Sequence, residues 1–153
     1  MNSPRFYCRE PLAPGAHVEL PEPVARHAVR VLRLASGAEI VLFDGRGGEY
    51  PARIERIEKE RVMASVGAWE PLERESGLEI TLVQALQAGE KMDYTVQKAV
   101  ALGVAAIVPV ESRRSVTRLA GDRAGRRVAH WQGVAASACE QCGRNQVPTV
   151  GSV

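Results

Sequence analysis

The sequence predicts an α/β chain with an N-terminal β-barrel, and three stretches predict it. From Leu78 to Ser112 the chain reads strand, helix, strand, the pattern of a βαβ unit with parallel strands. Before it, short apolar segments broken by glycine and proline turns carry a single helical pattern, which suits a small barrel. Between them lies EPLERESG at 70–77, polar and holding a proline and a glycine, which reads as a linker.

In chain order, PRFYC at 4–8 is a short strand with an arginine beside two aromatics, and His17 to Leu20 is a second. Pro21 and Pro23 mark a helix start, because proline is tolerated in a first turn. The helix is expected over Glu22–Leu34, with Val24, Ala28, Val31 and Leu32 as its apolar stripe. Arg26, Arg30 and Arg33 then share a neighbouring face, which suits either a phosphate backbone or plain solvation. Glu39–Phe43, Glu49–Ile57 and Arg61–Trp69 read as strands, with an aspartate–glycine hairpin signal between the first two. Gly45, Gly47 and Gly48 do not fit G-x-G-x-x-G and no helix follows them, which excludes a dinucleotide loop.

The second half opens with the strand LEITLVQAL at 78–86, rich in β-branched and aliphatic residues. A helix follows over Lys91–Leu102, with Met92, Val96, Ala99 and Val100 at three- and four-residue steps. Gly103 is placed to stop it in a left-handed conformation. After the strand AAIVPVES comes a basic loop, ESRRSVTRLAGDRAGRR, in which Gly121 and Gly125 are expected to prevent a long helix. The next helix runs from Arg126 to Gln141 on a stripe of Val128, Trp131, Ala135, Ala138 and Cys142, and Val147–Val150 is a last strand. The half is therefore βαβαβ. An open three-stranded sheet leaves an edge and a face bare, so the chain is expected to be the front of a larger protein.

Composition narrows the class. With 45% hydrophobic and 25% charged residues, the chain is an ordinary globular protein. It lacks both the run of about 18 apolar residues that a membrane span needs and the apolar core of a secretory signal. A cytoplasmic protein without a membrane partner is expected. Cys139 and Cys142 form a lone C-x-x-C with no second pair, so no metal is predicted and the two read as half-buried thiols on one helix face. The net charge is only +2, but six of the nine basic residues of 76–153 are arginines between Arg113 and Arg127.

These stretches carry a resemblance. PRFY at Pro4–Tyr7, HAVRVLRL at His27–Leu34, FDGRGGEYPARI at Phe43–Ile54, QALQAGEKMDYTVQKAVALGV at 84–104, SRRS at Ser112–Ser115 and ACEQCGRNQVP at Ala138–Pro148 follow one another in a single order. In this the chain resembles the RsmE family of 16S ribosomal RNA uridine N3-methyltransferases, of the SPOUT superfamily. The resemblance implies a PUA-like RNA-gripping β-barrel, at 1–72, and an α/β methyltransferase domain from 73 onward. It also implies S-adenosylmethionine as cofactor, 16S rRNA or the small ribosomal subunit as partner, and a homodimer. The family's glycine-rich G-P-E-G-G and L-G-x-R-I-L-R loops are not in this sequence. The chain is therefore expected to stop before the knot, to be inactive alone, and to carry no assignable cofactor-binding residue. A stand-alone RNA-binding module is the alternative.

The resemblance also assigns residues. The imino proton of uracil N3 must leave, and cationic groups near the carbonyl oxygens would stabilise the charge that develops. Motif position makes Arg114, Glu140, Gln141 and Arg144 the substrate-side catalytic candidates, although Glu140 and Arg144 also have the spacing of a helical ion pair. Arg5, Arg26, Arg30, Arg33 and Arg113 are the RNA-binding candidates, the barrel arginines giving affinity. His27, on the barrel side, reads as a packed or RNA-contacting residue rather than a general base.

Overall fold

The computed structural model describes residues 3–115 and 117–153. Val116, within the expected basic loop, lies outside them. The chain divides into two compact units, the first ending at Arg74 and the second beginning at Glu75.

In the first unit, strand β1 (Arg5–Tyr7) lies parallel to β3 (Glu39–Phe43), and β3 is antiparallel to β4 (Tyr50–Glu58). Strand β4 pairs with β5 (Arg61–Val66), and β5 with β2 (His17–Glu19), giving the order β1-β3-β4-β5-β2. Strand β4 shows why these residues pleat. Tyr50, Ala52 and Ile54 are buried while Pro51 and Arg53 are exposed, the period-two pattern of a half-buried strand. The alternation breaks at Glu55 and Arg56, both exposed, where a register shift after Ile54 inserts a bulge. Phe6, Ile40, Leu42, Ile54, Val62 and Ala64 lead the single core. This is the PUA-like β unit that the resemblance implies.

The helix expected at 22–34 is corrected. An α-helix, α1, covers Glu22–Arg26 and passes into a π-helical turn over His27–Val31. Its wider turn is visible in the Leu32 N–H donating to the His27 carbonyl, five residues back, at 3.1 Å. Ala28 of the expected stripe is buried, beside Ala25, but the wider turn rotates Val31 and Leu32 off it and leaves them 64% and 39% exposed. Arg33 follows the helix with a φ of 53°, so Arg26, Arg30 and Arg33 do not form one helical face.

The segment expected as a linker is anchored at both ends. Glu70 forms an antiparallel bridge with Glu49, and the Glu73 carboxylate accepts the Gly48 N–H. Gly48 has a φ of +68°, and a Cβ there would overlap the Trp69 indole and lie 2.8 Å from the Glu70 carbonyl oxygen. Gly48→Ala is therefore expected to destabilise this unit by at least about 2 kcal/mol. Urea unfolding followed by Trp69 fluorescence checks this, and an unchanged midpoint would contradict the close approach.

The second unit is a three-stranded parallel sheet in the order β6 (Thr81–Ala85), β7 (Ala106–Val110), β8 (Thr149–Val150). Helix α2 (Glu90–Ala101) buries Met92, Val96, Ala99 and Val100, the expected stripe, and Gly103 takes a φ of +96° just past its end. Helix α3 spans Gly121–Cys142 and packs on α2. Right-handed crossovers put both helices on one face of the sheet. On the other face Val83, beside Val108 in register, is 63% exposed.

Two further expectations are corrected here. Gly121 begins α3 and Gly125 lies within it, because the packing of the apolar stripe outweighs the roughly 1 kcal/mol helix penalty of each glycine. The stripe is Trp131, Ala135, Ala138 and Cys139, so Cys139 is buried and Cys142 exposed, rather than both being half-buried. Gly143, with a φ of 85°, caps the helix.

Candidate functional site

The ligand-binding edge of an open parallel sheet is the one at the carboxyl ends of its strands. Here it is formed by the segments that follow β6 and β7. After β6, the Gln87 Oε1 accepts the Thr95 hydroxyl at 2.7 Å, and Gly89 turns the chain into α2 with a φ of 53°. After β7 comes Glu111 and then the Ser112–Ser115 turn.

That turn is closed by its own serines. The Ser115 N–H donates to the Ser112 carbonyl at 3.0 Å, the Ser112 N–H to the Ser115 Oγ at 3.0 Å, and the two hydroxyls lie 3.0 Å apart. Both serines are thereby used inward, and Arg113 and Arg114 stand exposed at the tip. Glu111 holds the returning chain, with Oε1 accepting the Leu119 N–H at 2.8 Å and Oε2 accepting Arg118 Nη1 at 3.1 Å. The Leu119 hydrogen bond first, and Arg118 second, hold its carboxyl below the ordinary value. The turn and the start of α3 thus leave the sheet at one edge.

The opposite edge is organised by Arg144. Its guanidinium meets Glu75 in a fork: Nε donates to both carboxylate oxygens at 3.0 Å, and Nη2 to Oε2 at 2.5 Å. Nη1 donates to the carbonyls of Val100 and Val104 at 3.0 and 2.9 Å. Burial is the largest single influence on this guanidinium and lowers its pKa, but the hydrogen bond and charge of Glu75 outweigh it, and the net direction is upward. Arg144 thus ties together the start of the unit, the end of α2 and the approach to β7.

The substrate-side candidates therefore do not converge within one chain. Arg114 follows the carboxyl end of β7, while Arg144 contacts the residues before its amino end, about 15 Å away at about 3.3 Å per residue. Glu140 and Gln141 close α3 on the Arg144 side, half-buried and exposed respectively. Arg144 lies beyond the helix cap, and its guanidinium is paired with the Glu75 carboxylate.

Among the RNA-binding candidates, Arg5 Nη1 sits 2.5 Å from the buried Glu49 carboxylate, with its guanidinium 5.0 Å from the Phe43 ring centre. Arg74 reaches the same Glu49 oxygen at 2.9 Å. Arg26 pairs with Glu22, and Arg30 with Glu60. Arg33 and Arg113 are exposed without a carboxylate partner among the described residues. Sequence reasoning missed Glu49, Glu75 and Glu111, which hold these arginines and loops. Glu111 alone left a local signal, an acidic residue directly between strand and SRRS.

Comparison with known proteins bears on this arrangement. Residues 74–153 match the profile of an RNA methyltransferase domain, and residues 20–66 that of an RNA methyltransferase PUA domain. The chain belongs to the RNA methyltransferase family. Its relatives include the ribosomal RNA small subunit methyltransferase E, or RsmE, of Bacillus subtilis, 31% identical over 81% of this chain and 48% of that protein. The RsmE of Buchnera aphidicola from Acyrthosiphon pisum is 27% identical over 96% of this chain and 58% of its own. Among solved structures, Neisseria gonorrhoeae RsmE bound to S-adenosylmethionine superposes with a TM-score of 0.92. It shares 46% identity over 99% of this chain and 62% of that one. A Legionella pneumophila methyltransferase solved with the same cofactor gives 0.94 at 34% identity over 99% of this chain and 62% of its own. The RsmE resemblance read from sequence holds. The chain spans about half to three-fifths of the length of these RsmE relatives.

Proposed function

We propose that the chain supplies the RNA-gripping barrel and the substrate-side edge of an S-adenosylmethionine-dependent methyltransferase acting on N3 of a uridine in 16S rRNA. The observation that carries this reading is the superposition, over nearly the whole chain, on an RsmE that binds S-adenosylmethionine. Family membership supports the small ribosomal subunit as target, a homodimer as assembly and the cytoplasm as location.

The donor set at the carboxyl edge supports a division of labour. Ser112, Ser115 and Gln87 are engaged within the protein, and the tip of the turn after β7 presents the exposed Arg113 and Arg114 guanidiniums. Two cations fit phosphates, or the uracil oxygens as N3 loses its proton, and offer no acceptor to a cationic sulfonium. These residues fit the RNA side of the reaction and not the cofactor. Arg114 is the group to stabilise the uracil anion, and Arg144 acts at a distance by fixing the frame of the unit.

The test is a chimera in which these residues replace the matching part of the Neisseria gonorrhoeae enzyme. It is expected to methylate unmodified small-subunit RNA, read as a reverse-transcription stop at the uridine, since N3 methylation blocks pairing. A chimera that folds and binds S-adenosylmethionine but transfers no methyl group to this RNA would overturn the reading.

A further inference from the structure

The exposed arginines of the two units differ in how their charge is met. On the first unit Arg26, Arg30, Arg53, Arg56 and Arg61 each lie within ion-pair distance of a carboxylate, and Arg9, Arg33 and Arg46 sit singly in loops. On the second unit Arg113, Arg114, Arg123, Arg126 and Arg127 have no carboxylate partner among the described residues, although they fall within fifteen positions of one another. Arg123, Arg126 and Arg127 stand at i, i+3 and i+4, so they share one face of α3. The Arg127 guanidinium is stacked 5.2 Å from the ring centre of the buried Trp131, which orders it. His130, next on that face, is taken by Asp93 at 2.8 Å and closes the stripe.

From this contrast we infer that the α3 face carrying the exposed Arg123 and Arg126 and the half-buried Arg127, with Arg113 at the adjoining turn, is a surface that binds the phosphate backbone of RNA. The inference rests on the proposed RNA substrate, and it moves the affinity from the barrel helix to α3. A cluster of like charges held by no ion-paired carboxylate destabilises the free protein and favours a polyanionic partner. A guanidinium without a carboxylate loses only water on meeting a phosphate, whereas Arg30 must also leave Glu60. Because Glu111 holds Leu119, the stripe and the Arg113–Arg114 tip leave the same edge of the sheet, so a strand lying on α3 would lead toward Arg114. An anionic membrane is a poorer partner. A helix that lies in a membrane surface needs its apolar face free, and that of α3 is buried, with Trp131 and Ala135 at 1% and 0% exposure.

The experiment measures binding of a single-stranded RNA oligonucleotide to the 153-residue chain as a function of salt. The double substitution Arg123→Gln/Arg126→Gln is expected to flatten the slope of log affinity against log salt by about 1.4, at about 0.7 per phosphate contact on a single strand. Arg123→Lys/Arg126→Lys should keep the slope, because the point charges remain. Arg53→Gln/Arg56→Gln on the barrel is expected to leave it unchanged. Both sites are exposed, and equal melting temperatures confirm equal folding. An unchanged slope in the α3 glutamine variant, or an equal fall in the barrel variant, overturns the inference while leaving the RNA reading intact. No RNA binding by the unmodified chain at low salt, or binding to phosphatidylserine vesicles but not to RNA, overturns both.

Discussion

Arg144→Ala is expected to destabilise the second unit by about 3–5 kcal/mol, the range for removing one partner of a buried ion pair. The side chains of Arg144 and Glu75 are 7% and 19% exposed, so the Glu75 carboxylate would stay largely out of water after losing its fork. The carbonyl of Val104 would lose the same donor, while that of Val100 keeps the Gly103 N–H at 3.0 Å. Arg144→Lys should recover only part of the loss, since one ammonium cannot span a carboxylate and two carbonyls at once. A guanidinium with a raised pKa stays charged at every pH below its ordinary value, so the loss should be constant across the neutral range. Urea unfolding with hydrogen exchange resolved along the chain measures it. A loss below about 1 kcal/mol, the worth of an exposed pair, would show that Arg144 does not hold this unit together.

Glu49→Gln should be comparably costly in the first unit, again about 3–5 kcal/mol. Glu49 is 6% exposed and its Oε2 receives both Arg5 at 2.5 Å and Arg74 at 2.9 Å. An amide in its place offers no negative charge to either guanidinium. Arg74 carries the sign of this arrangement, since the Glu49 hydrogen bond is the largest influence on it and raises its pKa. The backbone bridge from Glu49 to Glu70 should loosen with the side chain, so hydrogen exchange should rise at the Glu70 N–H, now bonded at 2.8 Å to the Glu49 carbonyl. An unchanged exchange rate there, with a midpoint shift under about 1 kcal/mol, would count against the triad.

What sequence could reveal follows the range of the interaction. The α2 stripe and its stop at Gly103 are set by spacing along one helix, and they appear in the structure as read. Strand β3 does too, bounded as expected at Glu39 and Phe43. The helix after Pro21 fails at His27, because the alternation of apolar residues does not record whether a turn closes four residues back or five. Propensity alone argues against helix at Gly121 and Gly125, and the packing of α3 on α2 outweighs it. At the candidate site the local turn Ser112–Ser115 was legible as a motif. The partnerships of Glu75 with Arg144 and of Glu49 with Arg5 join residues 69 and 44 positions apart, and no local pattern marks them. The separation of Arg114 from Arg144 follows from topology alone, since one comes after β7 and the other reaches back to its start.

The same long-range pairing sets an order of events on the ribosome. Every strand of the first unit has been made once Val66 is complete, and Arg74 meets Glu49, already in place, as soon as it emerges. Glu75 is the next residue, yet its partner is 69 residues further on. At about 5–20 residues per second, that partner follows about 3–14 seconds later. During that interval one side of the Arg74–Glu75 peptide bond can already be fixed, while the other still waits for the end of α3 to be translated. A nascent chain therefore passes through a stage in which the five-stranded sheet of the first unit is complete and the first carboxylate of the second unit remains in water.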